Sequence, residues 1–258
     1  MEWTTDKAEK IKQVLKASLR NKFQNYSPET KHMPFHFRLL GKDRMALFSF
    51  IQSLNTTFGT SIYEPVAIAL AEEKFKIAKS QIKPHDKISE GAHKQIQTIM
   101  DNLITASQEP NRTNEVKKIR KVSRIGSMKQ VKLTNVDVWL ESNEGELFLI
   151  DFKTVKPNIG EFKGFKRTLL EWTAAELAKN PTVKVNTMIG IPYNPYEPEP
   201  YNRWTMRGMF DLKNEVLVAD ELWEFVGGKG TYNDLLDCFE IVGIELREEI
   251  DEHFKRFR

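Results

Sequence analysis

Apolar positions three and four apart run through residues 3–25, where Ile11, Val14, Leu15, Leu19 and Phe23 alternate with basic side chains, so this segment predicts an amphipathic helix. Residues 27–41 hold Pro28, Pro34 and Gly41 and read as irregular. Asp43 to Leu54 predicts a second helix. Gly59-Thr60-Ser61 reads as a break, followed by a long helix from Ile62 to Ala78 with Pro65 in its first turn, where a missing N–H costs little. Residues 86–107 predict another helix, with Ile96, Ile99, Met100, Leu103 and Ile104 on one face. Gln108 to Asn114 is polar and turn-rich.

The period then changes. Strands are predicted at about 131–141, 146–153 and 183–191, with a helix at about 160–179 between the last two. The turn Ser142-Asn143-Glu144-Gly145 makes the first pair an antiparallel hairpin. Strand, helix, strand is a crossover unit, so the second pair is expected to be parallel. Pro192, Pro195, Pro198 and Pro200 impose a rigid exposed loop up to Tyr201. Residues 216–226 read as one more strand or short helix, Gly227 to Gly230 as a turn, and 231–257 as a helical end with Leu235, Leu236, Phe239 and Ile250 inward. Trp139, Trp172 and Trp223 read as core. The fold class is therefore α/β: a mixed central sheet flanked by helices. No linker or repeat divides the chain, so 1–258 reads as one domain, with a mainly helical part at 1–110, the sheet core at 131–192 and a C-terminal part at 193–258.

Composition changes this picture little. The chain has 258 residues, 40% hydrophobic and 29% charged, with a net charge of +3. No apolar run approaches a membrane span, no signal peptide is legible at the N-terminus, and one cysteine, Cys238, excludes an internal disulfide; a cytoplasmic protein is expected. Five scattered histidines and one cysteine argue against structural zinc. The distribution of charge says more. Val116 to Val136 has no acid but holds Lys117, Lys118, Arg120, Lys121, Arg124, Lys129 and Lys132. A basic run by itself is more often a solvated loop. Leading straight into an acidic strand, this one is read as a polyanion surface.

That strand carries the chemistry. Asp137 lies on the first strand of the hairpin; Asp151 and Lys153 lie two apart on the second, hence on one face, with Phe152 on the other. The hairpin can bring Asp137 to Asp151. Two carboxylates and an amine suit a divalent cation and an attacking water, the needs of phosphodiester cleavage. The alternative is a pair of ordinary surface charges, yet an aspartate is a poor strand former and here ends the apolar run Leu147-Phe148-Leu149-Ile150.

Asp137 with Asp151-Phe152-Lys153 resembles the PD-(D/E)xK nuclease motif, with Val136 where the motif has proline. The segment from Leu149 to Asn158 and on through Gly164-Phe165-Lys166-Arg167-Thr168-Leu169-Leu170-Glu171-Trp172, with Gly59-Thr60-Ser61-Ile62-Tyr63-Glu64 upstream, resembles type II restriction endonucleases of the TdeIII/MjaII kind. The resemblance runs from about residue 45 to the C-terminus. It implies a PD-(D/E)xK core and a Mg²⁺-dependent homodimer that cuts both strands of double-stranded DNA at a short palindrome, GGNCC-like. It also implies Asp137, Asp151 and the Phe152 backbone carbonyl as metal ligands and Lys153 as the catalytic lysine. Glu64 is a further candidate, because this superfamily often supplies an acid from a helix before the sheet; a helix-start carboxylate favoured by the macrodipole explains it equally well.

For DNA contact, the basic stretch joins Lys156, Lys163, Arg167, Arg203 and Arg207 as candidates. Arg167 and Glu171 also have the spacing of a plain i,i+4 ion pair. Competing readings are a repair or structure-specific nuclease of the same fold, a non-catalytic DNA-binding protein, and a small-molecule α/β enzyme; the last lacks a phosphate-binding glycine loop.

Overall fold

The structure is a computed structural model that describes residues 3–26, 34–153 and 159–255. Its strands are β1 (Ile77–Ile82), β2 (Lys87–Ser89), β3 (Met128–Gln130), β4 (Val136–Glu141), β5 (Leu147–Phe152), β6 (Val185–Ile191) and β7 (Val216–Val218). Five of them form one mixed sheet in the order β1-β4-β5-β6-β7; β2 and β3 pair separately. The expected antiparallel hairpin is present in β4 and β5, and the expected parallel pair in β5 and β6. Gly145, at a φ of 78°, closes the hairpin: its N–H donates to Ser142 O at 3.0 Å, a geometry a side chain would strain. β5 is buried along nearly its whole length because helices cover both faces of the sheet.

On one face lie α5 (Glu90–Ile104), α6 (Arg112–Val122) and α7 (Phe162–Lys179). On the other lie α1 (Thr5–Asn25), α4 (Glu64–Ala71), α8 (Asp220–Gly227) and α9 (Thr231–Glu245). Leu149, Leu169, Trp172 and Ile189 centre the first core; Leu15, Leu70, Ile150 and Trp223 centre the second. The remaining helices are α2 (Pro34–Leu40), α3 (Lys42–Phe58) and α10 (Arg247–Lys255). α7 begins beyond the C-terminal end of β5 and returns to the start of β6, so its last turn lies at the opposite end of the sheet from Asp151.

Several expectations fail, each for a physical reason. The long helix over Ile62–Ala78 stops at Ala71, and Ile77–Ile82 is an edge strand: pairing with β4 overrides a sequence of weak strand propensity. Gly59–Tyr63 does not break the chain; it winds as a single π turn that joins α3 to α4. Part of the irregular 27–41 segment, Pro34–Leu40, is helical, while 27–33 lies outside the described residues. The helix expected from residue 86 starts at Glu90, because Ser89 takes the N–H of Ala92 at 3.0 Å and caps it, leaving Lys87–Ser89 as β2. The strand expected from about Val131 starts at Val136, and the sheet already begins with β1. Residues 216–226 make both a strand and a helix. Ile104 and Leu236 are exposed, not core.

A buried ion cluster joins α6, α7 and the chain entering β7. Lys166 Nζ lies 2.6 Å from Glu115 Oε2 and 2.7 Å from Glu215 Oε2, with all three side chains closed to solvent. Burial pushes the Glu215 carboxyl up, opposed by the charges of Lys166 and Arg112.

Candidate active site

At one end of the sheet the hairpin opens. Val138 pairs with Ile150, and one step further Asp137 would face Asp151. There a side chain replaces the ladder: the Phe152 N–H donates to Asp137 Oδ2 at 2.8 Å. Asp151 is 6% exposed and lies close enough to Asp137 for the two carboxyls to act on each other electrostatically. Lys153 Nζ lies 2.7 Å from Asp151 Oδ1 and 4.3 Å from the centroid of the Phe165 ring on α7. The Lys153 N–H donates to Gly190 O at 2.9 Å, which ties this backbone to β6. So the three residues singled out by the hairpin pattern do meet, on the α7 face of the sheet. Burial pushes the Asp151 carboxyl up to about 7, and the neighbouring Asp137 charge pushes the same way, while Lys153 pulls it down.

Behind them stands Glu64, on the first turn of α4 directly after the π turn, and 1% exposed. Burial raises its carboxyl to about 7 against the pull of a hydrogen bond from Gln81. Gln81 is on β1. Its Nε2 donates to Glu64 Oε1 and Oε2 at 3.0 Å each and to Asp137 Oδ1 at 3.1 Å. Sequence reasoning passed over this residue, because a glutamine in the short gap between two supposed helices carries no chemical signal. The opposite face is apolar: the Phe152 ring lies 6.4 Å from Tyr63 and 6.2 Å from Trp223, whose indole N–H donates to Pro192 O at 2.7 Å.

The basic candidates divide. The stretch from Val116 is not a loop; α6 covers its first part and β3 its end. Arg120 donates to Pro181 O and, at 2.8 Å, to Val183 O; Arg124 donates to Ala178 O at 3.3 Å and Lys179 O at 3.0 Å. Both therefore satisfy carbonyls at and beyond the C-terminus of α7, at the far end from Asp151, a structural use of these two side chains. Lys118 donates to Gln108. Arg203 pairs with Glu221 and donates to Leu212 O at 3.4 Å, a structural tie. Arg167 donates to Gln97 at 2.7 Å and lies 3.9 Å from Glu171, so this face of α7 meets α5 rather than the acids. Lys117, Lys121, Lys129 and Arg207 are exposed, as is Lys163 in the first turn of α7, the end nearest the acids. Lys156 lies outside the described residues.

Hard oxygen donors crowded into a buried site, two of them with carboxyls held near 7, suit a cation that would relieve their mutual charge. Among the described residues, no three His, Cys, Asp or Glu side chains converge as a ready cage. Mg²⁺ does not need one: it binds through one or two carboxylates with water and substrate phosphates.

A mixed sheet flanked by helices, with acids and a lysine at an opened hairpin, is the architecture of the restriction endonuclease-like α/β nucleases. Residues 4–243 match the family model described as type II restriction endonuclease, HinfI. The type II restriction enzyme MjaII of Methanocaldococcus jannaschii is 31% identical, over an alignment covering 90% of this chain and 70% of that enzyme. The type II restriction enzymes HgiCII and HgiEI of Herpetosiphon aurantiacus are 24% and 25% identical, each alignment covering 80% of the relative and 84% and 85% of this chain. The chain belongs to the HinfI family of type II restriction endonucleases, enzymes that cleave double-stranded DNA at specific sequences. No helix among the described residues is long and apolar enough to cross a membrane.

Proposed function

We propose that Asp137, Asp151 and Lys153 form the catalytic centre of a PD-(D/E)xK nuclease, that Mg²⁺ is its cofactor, and that a homodimer cuts a short palindrome, of the GGNCC type that the family resemblance implies. The observation that carries this is the meeting of the three groups at the opened end of β4 and β5. Asp137 and Asp151 would hold the cation. In an extended strand a residue's N–H and C=O point to the same edge, so the Phe152 carbonyl, whose N–H meets Asp137, is a third ligand candidate. Bound Mg²⁺ lowers the pKa of its water and offsets charge building on the phosphate. Lys153, beside Asp151, orients that water or holds the scissile phosphate. Glu64 completes the acidic group from behind. Exposed Lys163 is the phosphate contact best situated at this end, with Lys117, Lys121, Lys129 and Arg207 as outer candidates.

The homodimer has two supports. One acid group per chain serves one strand, so symmetric duplex cleavage calls for a second copy. The outward side of α3 carries Leu47, Phe48 and Ile51 at helical spacing, and α2 adds Phe35 and Leu39, which are 81% and 83% exposed. Together these leave roughly 600 Å² of apolar surface open, near the roughly 800 Å² that one partner gives a standard interface. The second copy is the occupant proposed for this face. A single nuclease domain is favoured by α1 and α9, from the two ends of the chain, sharing one core over one sheet. A prokaryotic cytoplasmic setting accords with the lone buried cysteine.

The test is incubation of plasmid DNA with Mg²⁺ and sequencing of the ends. Discrete fragments with a common terminal sequence are expected, and none from Asp151→Asn. Wild-type cleavage by that variant would remove Asp151 from the centre.

A further inference from the structure

We infer that Gln81 is a positioning residue of the cleavage site: its side-chain amide clamps Glu64 to Asp137 and sets the spacing of the acids that receive the cation. This rests on the reading of Asp137, Asp151 and Lys153 as the catalytic centre.

The backbone at Gln81 is the first support. Its φ is 54°, in the left-handed region that a non-glycine residue adopts only where its surroundings enforce it. Along β1, Ser80 pairs with Val138 and Ile82 with Val136, while Gln81, opposite Asp137, is left out of the ladder. An ordinary exposed edge-strand glutamine would keep extended backbone and solvate its amide. Here the irregularity falls at the β1 residue whose side chain reaches Glu64 and Asp137.

The contacts are the second support. One Nε2 serves three carboxylate oxygens, at 3.0, 3.0 and 3.1 Å, on two different elements. Asn135 Nδ2 lies 3.5 Å from Gln81 Oε1 and favours the same amide orientation; the reversed amide would set an oxygen against three carboxylate oxygens. The choice of residue type follows from the task. A lysine here would neutralise the acids and compete with a metal ion, and a glutamate would repel them. A neutral donor holds two carboxylates together and leaves their charge for the cation.

The full-length protein with Gln81→Met (equal length, no donor) and Gln81→Gly (no side chain, φ relaxed) tests this. Binding of Mn²⁺ alone is followed by electron paramagnetic resonance, plasmid cleavage is measured across Mg²⁺ concentration, and duplex binding is measured in EDTA. Both variants should bind Mn²⁺ at least tenfold more weakly and need at least tenfold more Mg²⁺ for half-maximal cleavage. Metal-free DNA affinity should hold, and Gln81→Gly should melt no lower than wild type. Wild-type Mn²⁺ affinity and Mg²⁺ demand in both variants would overturn the inference, as would a fall in melting temperature and DNA affinity together, which marks a merely structural residue. If Asp151→Asn cleaves normally, the underlying site reading fails instead.

Discussion

Asp151→Asn should do more than stop cleavage: it should stabilise the metal-free protein at pH 8. In the fold, burial beside Asp137 holds the Asp151 carboxyl at about 7 against an ordinary value of 3.8. At about 1.4 kcal/mol per pKa unit, ionised Asp151 costs the native state roughly 4 kcal/mol. Asparagine keeps the shape. Its Oδ1 can accept from Lys153 Nζ, now 2.7 Å from the carboxylate, and its Nδ2 can donate to Asp137. The pull of Lys153 is already contained in that value; the imperfect hydrogen bonds of a buried amide return about half of the gain. About 2 kcal/mol should remain, or about 4–8 °C in melting temperature for a chain of this size. The sign follows from the raised value. The folded state binds this proton more tightly than the unfolded one, so the cost is absent below about pH 4, grows between about 4 and 7, and is complete above that. Thermal melts in EDTA should therefore show the variant above wild type at pH 8, with under half that difference at pH 5. Adding Mg²⁺ should raise the wild-type melting temperature and not the variant's. A variant that melts at or below wild type at pH 8, or whose gain is as large at pH 5, would refute the claim that buried charge is what holds Asp151 poised.

Lys166→Met leaves Glu115 and Glu215 buried without the cation that bonds both and should cost about 3–5 kcal/mol in urea unfolding; a loss under about 1 kcal/mol would mean the cluster contributes little. Arg124→Ala should cost about 1 kcal/mol through the freed carbonyls at the end of α7, with unchanged DNA affinity; a weaker, less salt-dependent complex would return this residue to the DNA surface. Replacing Leu47 and Phe48 together by lysine should give a folded monomer in sedimentation that no longer cuts both strands at once; a persistent dimer would locate the interface elsewhere.

What was legible was local. The hairpin, the crossover helix and the meeting of Asp137, Asp151 and Lys153 all lie within a short span, where alternation and a glycine turn fix register. β1 was not legible, because Ile77-Ala78-Lys79-Ser80-Gln81-Ile82 has neither clean alternation nor strong strand formers and becomes a strand only by lying against β4. The same displacement hid the start of α5, whereas Glu64, read at the start of a helix, stands in the first turn of α4.

The basic stretch divides for a different reason. Charge in a sequence reports composition, not destination. A guanidinium satisfies a helix carbonyl as readily as a phosphate, and the unpaired carbonyls at the end of α7 claim Arg120 and Arg124 first. The acids were the reverse case. Carboxylates ending an apolar strand have few structural partners, so their presence pointed outward to a ligand. Gln81 escaped both rules: its neutral amide has no charge to notice, and its contacts join residues 64 and 137, far apart in the chain. In the proposed site the groups read as cation ligands are written in residue type, whereas the amide proposed to space them meets them only once the sheet has closed.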